Sequence, residues 1–186
     1  MTAKPTYHHG DLRRALLEAA ASAIEESGVT ALSLRDLARR AGVSHAAPAH
    51  HFGDKAGLLT ALAAEGYALL ADALEAADDF LETGVAYVRF AVGHRAHFEV
   101  MFSPDIYNGD DPVLAEARDR SEAVLYRSAE ELPDAAADPG AVRDAALAAW
   151  SIAHGFATLW LSGSLPDLGT SPDDAARLVL RELGRS

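Results

Sequence analysis

The sequence predicts an all-α protein of about nine helices, and three observations carry that expectation. Almost every segment is rich in Ala and Leu at helical spacing, no run of β-branched residues alternates for long enough to make a sheet, and Gly- or Pro-bearing breaks close one apolar stripe before the next opens. At 186 residues the chain can bury a real core, either as one domain or as a small head joined to a larger body.

The first helix is expected to open on Asp11 as N-cap, to carry Leu12, Ala15, Leu16, Ala19, Ala23 and Ile24 on one face, and to end at Gly28 in the C′ position. Ser33 with Asp36 three residues on has the form of a capping box, and Leu34, Leu37, Ala38 and Ala41 give the stripe of a second, short helix that Gly42 stops. Ser44 is expected to cap a third helix through about His51. Asp54 would cap a fourth, from Lys55 to about Ala77, with Leu58, Leu59, Leu62, Leu69 and Leu70 on its apolar side. Aromatic-bearing helices are expected at about 80–93 and 95–102. A Pro/Gly/Asp-rich loop, Ser103 to Pro112, follows and reads as a mobile element. Helices at about 113–131 and 141–161 flank a break from Pro133 to Gly140, and after Ser162 to Pro172 a short amphipathic helix ends near Leu183. No internal repeat is visible.

Composition narrows the function. No cysteine occurs, which excludes disulfides, thiolate metal sites, cysteine nucleophiles and thiol redox sensing, and suits a cytoplasmic protein. Met1 to Tyr7 carries Lys4 but no apolar stretch behind it, so no export signal is expected. Ala145 to Leu161 is free of formal charge, yet Ser151, His154, Gly155 and Thr158 interrupt it and it falls short of the ~20 apolar residues a membrane span needs, so no membrane partner is expected. The net charge of −12 argues against nucleic acid until its distribution is read. Residues 1–55 hold seven Lys/Arg against six Asp/Glu, a net of +1 that leaves −13 for the remainder, and five of the eight histidines fall in that same stretch. An acidic body would repel DNA and leave the head as the docking surface. Residues 1–55 are accordingly read as a DNA-binding head and 56–186 as an acidic body.

The two short helices joined through Ala41-Gly42-Val43-Ser44 have the logic of a helix-turn-helix: a first helix packed by small apolar residues, a glycine free to take φ > 0, an apolar residue to pin the turn, and a capping serine. By spacing alone the same pattern also fits an ordinary helical bundle. The stretch Thr30-Ala31-Leu32-Ser33-Leu34-Arg35-Asp36-Leu37-Ala38-Arg39-Arg40-Ala41-Gly42-Val43-Ser44, with His51-Phe52-Gly53-Asp54-Lys55 and Leu58-Leu59, resembles the DNA-binding head of the TetR family over about 50 residues. The second half, with Tyr87 to Pro104 and Trp150-Ser151-Ile152-Ala153-His154-Gly155, is similar to the subgroup whose regulatory domain carries a Trp…His-Gly signature.

That resemblance implies that Ser44 to His51 is the recognition helix, that Phe52 plugs the space between helices, and that Lys55 meets a phosphate at the start of the fourth helix. His45, Ala46 and Ala47 would lie in the first turn, where a methyl can touch thymine and an imidazole can bond a purine or a phosphate. Ser33, Arg35, His51 and Lys55 would fix register on the backbone, with His50 as a further phosphate contact. Two positions depart from the family pattern. Ala49 stands where a tyrosine commonly touches the DNA backbone, and Pro48, placed at about the fourth helical position, would remove the first intrahelical bond. Weaker DNA binding is the direct expectation from Ala49, whereas Ala47-Pro48 is itself similar to the subgroup with the Trp…His-Gly signature; a ligand-binding protein with a degenerate head is the alternative.

Elsewhere, bland readings compete with functional ones. His8 and His9 read as solvated residues or as a phosphate-binding arm. His94 and His97 are spaced i, i+3, but Glu99 points elsewhere on a helix, so no metal site is expected. His154, one turn after Trp150, reads as a satisfied core histidine or as a ligand handle. Tyr87, Phe90, Phe98, Met101, Phe102, Tyr126, Trp150 and His154, with Phe156 and Trp160 nearby, could line a pocket for a small apolar or aromatic effector, or simply supply a core. The segment from Ala145 is apolar nearly all round and needs cover on both sides, which points to a homodimer. A small helical enzyme or metal protein fares poorly: there is no serine elbow, no HExxH, no phosphate-cradling glycine loop, and no cofactor is called for. The expected function is that of a transcriptional regulator, a repressor that binds a palindromic operator as a dimer and leaves it when the effector binds.

Overall fold

The computed structural model describes residues 9–130, 132 and 139–183. Among them nine α-helices follow one another: α1 His9–Ala31, α2 Leu34–Arg40, α3 Ala47–Phe52, α4 Lys55–Glu75, α5 Phe80–Gly93, α6 Arg95–Met101, α7 Pro112–Ala129, α8 Pro139–Leu161 and α9 Pro172–Leu183, with one 3-10 turn at Pro104–Ile106. The all-α expectation is met. His8 and most of the break from Pro133 to Gly140 lie outside the described residues.

Helix ends differ from expectation in instructive ways. α1 is already helical at His9, so Asp11 is not its cap. Gly28 does interrupt it, at φ 76 and ψ 160, and a further turn closes by the bond from Leu32 N–H to the Val29 carbonyl, 3.3 Å. The loop from Ser103, expected to be mobile, is tied down: Tyr107 Oη donates to the Met101 carbonyl (3.0 Å), Asn108 N–H to Thr60 Oγ1 (2.9 Å), and Asp111 Oδ1 accepts from the N–H of Val113 (2.9 Å) and Leu114 (3.0 Å). Buried or half-buried backbone groups need such partners, and here side chains provide them.

The chain forms two compact units. One takes the described residues through Ala63 together with Ala96–Leu114; the other takes Ala64–Arg95 and the described residues from Ala115 onward. In the first, α2 packs on both α1 and α3. Leu16, Ile24, Leu37, Pro48, Leu58 and Leu62 are each under 2 % exposed and make its core. In the second, α5 lies against both α8 and α9. Gly84 makes the α5–α9 approach possible, because a Cβ there would stand 2.7 Å from Leu180 Cδ1. Two cross-helix ion pairs flank that seam: Arg177 grips Glu82 bidentately (Nε–Oε1 2.7 Å, Nη2–Oε2 2.9 Å) and Arg89 Nε meets Asp173 Oδ2 at 2.7 Å. The Arg177 guanidinium holds the Glu82 carboxyl below the usual carboxylate range.

α4 is long and apolar enough to cross a membrane by length and composition, yet more than half of that stretch is buried within the protein. Its Leu58, Leu59 and Leu62 are 0–1 % exposed, which is what a core helix requires.

Candidate nucleic-acid interface

The two-helix unit is built from its caps inward. Ser33, at φ −132 and ψ 143, turns the chain into α2 and its Oγ accepts the Asp36 N–H at 3.2 Å. The reciprocal half of the box is missing, because the Asp36 carboxylate is taken by Arg39 and Arg40 instead (2.6 and 2.7 Å). Gly42, at φ 66, closes α2, while the N–H groups of Ala41 and Val43 bond the carbonyls of Leu37 (2.9 Å) and Ala38 (3.0 Å). These bonds fix the angle at which α3 leaves.

α3 starts later than expected. Ser44 is not its cap: the Ser44 carbonyl accepts the Ala47 N–H at 3.0 Å in a turn, the cap position falls on Ala46, and no side chain caps the helix. Pro48 therefore sits at the second helical position rather than about the fourth, where its missing N–H is one the helix would leave unpaired anyway. No intrahelical bond is lost. The ring is buried in the core of the first unit, so it seats α3 rather than perturbing it.

The other face of α3 and the turn that leads into it are open. Ser44, His45, Ala46, Ala49 and His50 are exposed and Ala47 is half-buried. His51 and Phe52 are half-buried, with the Arg13 guanidinium 5.4 Å from the centre of the Phe52 ring. Of the residues placed on the DNA backbone by sequence, Ser33 and Arg35 are exposed, and Arg35 makes no ion pair among the described residues. Lys55, expected to face a phosphate, rests its ammonium on the carbonyls of Val29 (2.9 Å) and Thr30 (3.3 Å), joining the end of α1 to the start of α4. Asp54 caps α4 as expected, Oδ1 accepting the Gly57 N–H at 2.8 Å.

In the second unit, three of the residues proposed to handle an effector meet. Trp150 Nε1–H donates to Tyr87 Oη at 3.3 Å, and Tyr87 Oη lies 2.9 Å from His154 Nδ1. An indole can only donate, so Tyr87 Oη accepts from Trp150, and the imidazole shares a hydrogen bond with the same oxygen. Burial keeps the imidazole neutral by pushing its pKa down, and pushes the Tyr87 phenol up. Phe90, in the same unit, stacks on His94 with ring centres 5.2 Å apart, and Tyr126 is 40 % exposed on α7. Phe98, Met101 and Phe102 belong to the first unit, where the Phe98 and Phe102 rings are 5.0 Å apart and Met101 is buried. Among the described residues no group of three or more His, Asp or Glu is placed to hold a metal ion.

Residues 16–62 match the tetR family of bacterial regulatory proteins, and residues 80–183 match the tetracyclin repressor-like C-terminal domain. The chain belongs to the TetR family. Its members are DNA-binding transcriptional regulators. A protein of unknown function from Rhodococcus sp. RHA1 is 39% identical to it, covers 96% of this chain and 98% of its own, and superposes with a TM-score of 0.76. The TetR family transcriptional regulator PfmR from Thermus thermophilus is 26% identical over 89% of this chain and 97% of its own, at a TM-score of 0.64. A tetR-family bacterial regulatory protein from Rhodococcus RHA1, 24% identical over 91% and 95%, shares the fold at 0.66. A comparison with functionally curated proteins found no match.

Two residues of this TetR head, Pro48 and Lys55, make contacts beyond those the sequence predicts. The role of Pro48 was signalled by the preference of proline for the first helical turn, which places the start of α3 at Ala47. The hold of Lys55 on carbonyls 25 and 26 residues earlier has no local signature.

Proposed function

We propose that this chain is a repressor that binds a palindromic operator as a two-fold dimer and is released when a small apolar or aromatic effector binds its C-terminal part. The observation that carries the reading is the open surface of α3 and of the turn before it: His45 and Ala46 in the turn and Ala49 and His50 on the helix are exposed while Pro48 and Leu37 are buried. A major groove admits such a face, with Ala46 and Ala47 presenting methyls to bases and Ser33, Arg35, Ser44, His50 and His51 setting register on phosphates. Lys55 adds a phosphate contact through the one ammonium N–H that its two carbonyl bonds leave. Residues 1–55 carry the DNA function, and 56–186 the effector and dimer functions.

The dimer is supported by apolar side chains left open on α8 and α9, namely Leu147 (50 % exposed), Trp150 (41 %), Leu159 (46 %) and Leu178 (64 %). A second copy covering these open sides of α8 and α9 would pair two α3 helices with half-sites about one turn, roughly 34–36 Å, apart or further. For the effector, the Trp150–Tyr87–His154 chain supplies hydrogen-bonding groups beside aromatic rings, and this trio supports the Trp…His-Gly subgroup. Coupling runs through α4, whose residues Lys55–Ala63 belong to one unit and Ala64–Glu75 to the other. An effector that favours the non-DNA conformation by about 1–3 kcal/mol suffices.

The test is fluorescence anisotropy of the full chain against its own upstream DNA, titrated with salt. A specific complex whose log affinity falls linearly with log salt, and whose slope drops by about 1 in Arg35→Ala, supports the reading. Weak binding with no sequence preference would instead establish a ligand-binding protein with a degenerate head.

A further inference from the structure

Docking on phosphates needs cations, and the folded head commits most of its cations elsewhere. Arg39 bonds Asp36 (2.6 Å), Arg40 is held between Asp36 and Glu26 (2.7 Å each), and Arg14 pairs with Glu18 at 3.8 Å. The Arg13 guanidinium covers Phe52, and Lys55 gives two of its three N–H donors to carbonyls. From Val43 to Asp54, the stretch that contains α3, there is no Lys or Arg at all. That stretch carries His45, His50 and His51 instead.

His45 and His50 are exposed, and among the described residues neither imidazole makes an ion pair with a carboxylate. The charged groups on the elements around them are accounted for. α2 brings Arg35 and an Asp36 already held by two arginines, α1 brings Arg13, and the start of α4 brings Asp54, bonded to the Gly57 N–H, and Lys55. On α3 itself the His51 ring centre is 5.7 Å from that of His50.

We propose that His45 and His50 are the phosphate-binding cations of the recognition element, so that operator binding takes up protons and tightens as pH falls from about 8 to about 6. The inference rests on the reading of this head as an operator-binding surface. An imidazole beside a phosphate holds its proton more firmly than a free one does. The complex therefore binds more protons than free protein and DNA between the free and bound titration ranges. Affinity rises as pH falls through that interval and levels off once the free histidines are themselves protonated. Each histidine raised by one pKa unit in the complex contributes about tenfold.

Anisotropy at pH 6.0, 7.0 and 8.0 tests this in the unmodified chain, in His45→Lys/His50→Lys and in His45→Gln/His50→Gln, with far-UV circular dichroism at each pH to show that all remain folded. The unmodified chain should bind its operator at least about tenfold more tightly at pH 6.0 than at 8.0, with a steeper salt dependence at the lower pH. The lysine variant, charged throughout, should bind specifically with a flat pH profile; the glutamine variant should be weak and equally flat. Specific binding whose affinity ignores pH, or a pH dependence that survives in both variants, would overturn the proton linkage alone. If no specific complex formed at any pH, the repressor reading itself would fail and the linkage with it.

Discussion

Gly57 shows how little room the head leaves. A Cβ at that position would press into the carbonyl oxygen of Phe52 and stand 3.2 Å from its carbonyl carbon, and both are backbone atoms that no rotamer change can move. Gly57→Ala should destabilise the protein by about 1–3 kcal/mol in urea unfolding, an overpacking cost carried by the α3–α4 corner. The neighbouring residues separate what the sequence makes legible from what it does not. Gly42 and Asp54 are readable because turn glycines and N-caps act within three or four residues of themselves, and both perform as expected. Ser44 misleads because two local signals compete: serine favours a cap, but Pro48 favours the first turn, and the proline wins. His45, Ala46 and Ala47 are expected in the first turn of α3; only Ala47 is helical, and His45 and Ala46 precede it.

At the scale of elements, periodicity and breakers locate every helix to within a few residues, because each apolar stripe closes on a glycine, a proline or a capping side chain. What escapes is the tethering of the Ser103–Pro112 loop, since its bonds to Thr60 and Met101 depend on where other helices pass. The cap of α2 offers a test that separates structure from function. Ser33→Ala should cost about 1 kcal/mol of stability by leaving the Asp36 N–H unpaired. Ser33→Asp keeps an acceptor there and should preserve the melting temperature, while its negative charge weakens operator binding. Equal losses of stability in both variants would show that the hydroxyl does more than cap.

For the whole molecule, acid stability follows from groups whose charged and neutral forms the fold treats unequally, His154 and the arginine-paired carboxylates Glu82, Glu26 and Asp36. Burial depresses His154 below its ordinary 6.5, so its contribution is intact above that value and is lost as pH falls through the folded pKa. Glu82, lowered from an ordinary 4.5 by Arg177, behaves alike at lower pH. Melting temperature should thus fall in two stages on acidification, with His154→Gln removing the first and Glu82→Gln reducing the second, which Glu26 and Asp36 share. A single stage unaffected by either variant would place the acid sensitivity elsewhere. The helix that runs from Lys55 to Glu75 has a further consequence. Because its first nine residues belong to one compact unit and the rest to the other, the boundary falls inside an unbroken ladder of i→i−4 bonds rather than in a linker. Melting either unit alone must tear that ladder at its midpoint and leave half a helix fraying from a core. Differential scanning calorimetry should therefore record one endotherm whose calorimetric and van't Hoff enthalpies agree, as for a single cooperative body.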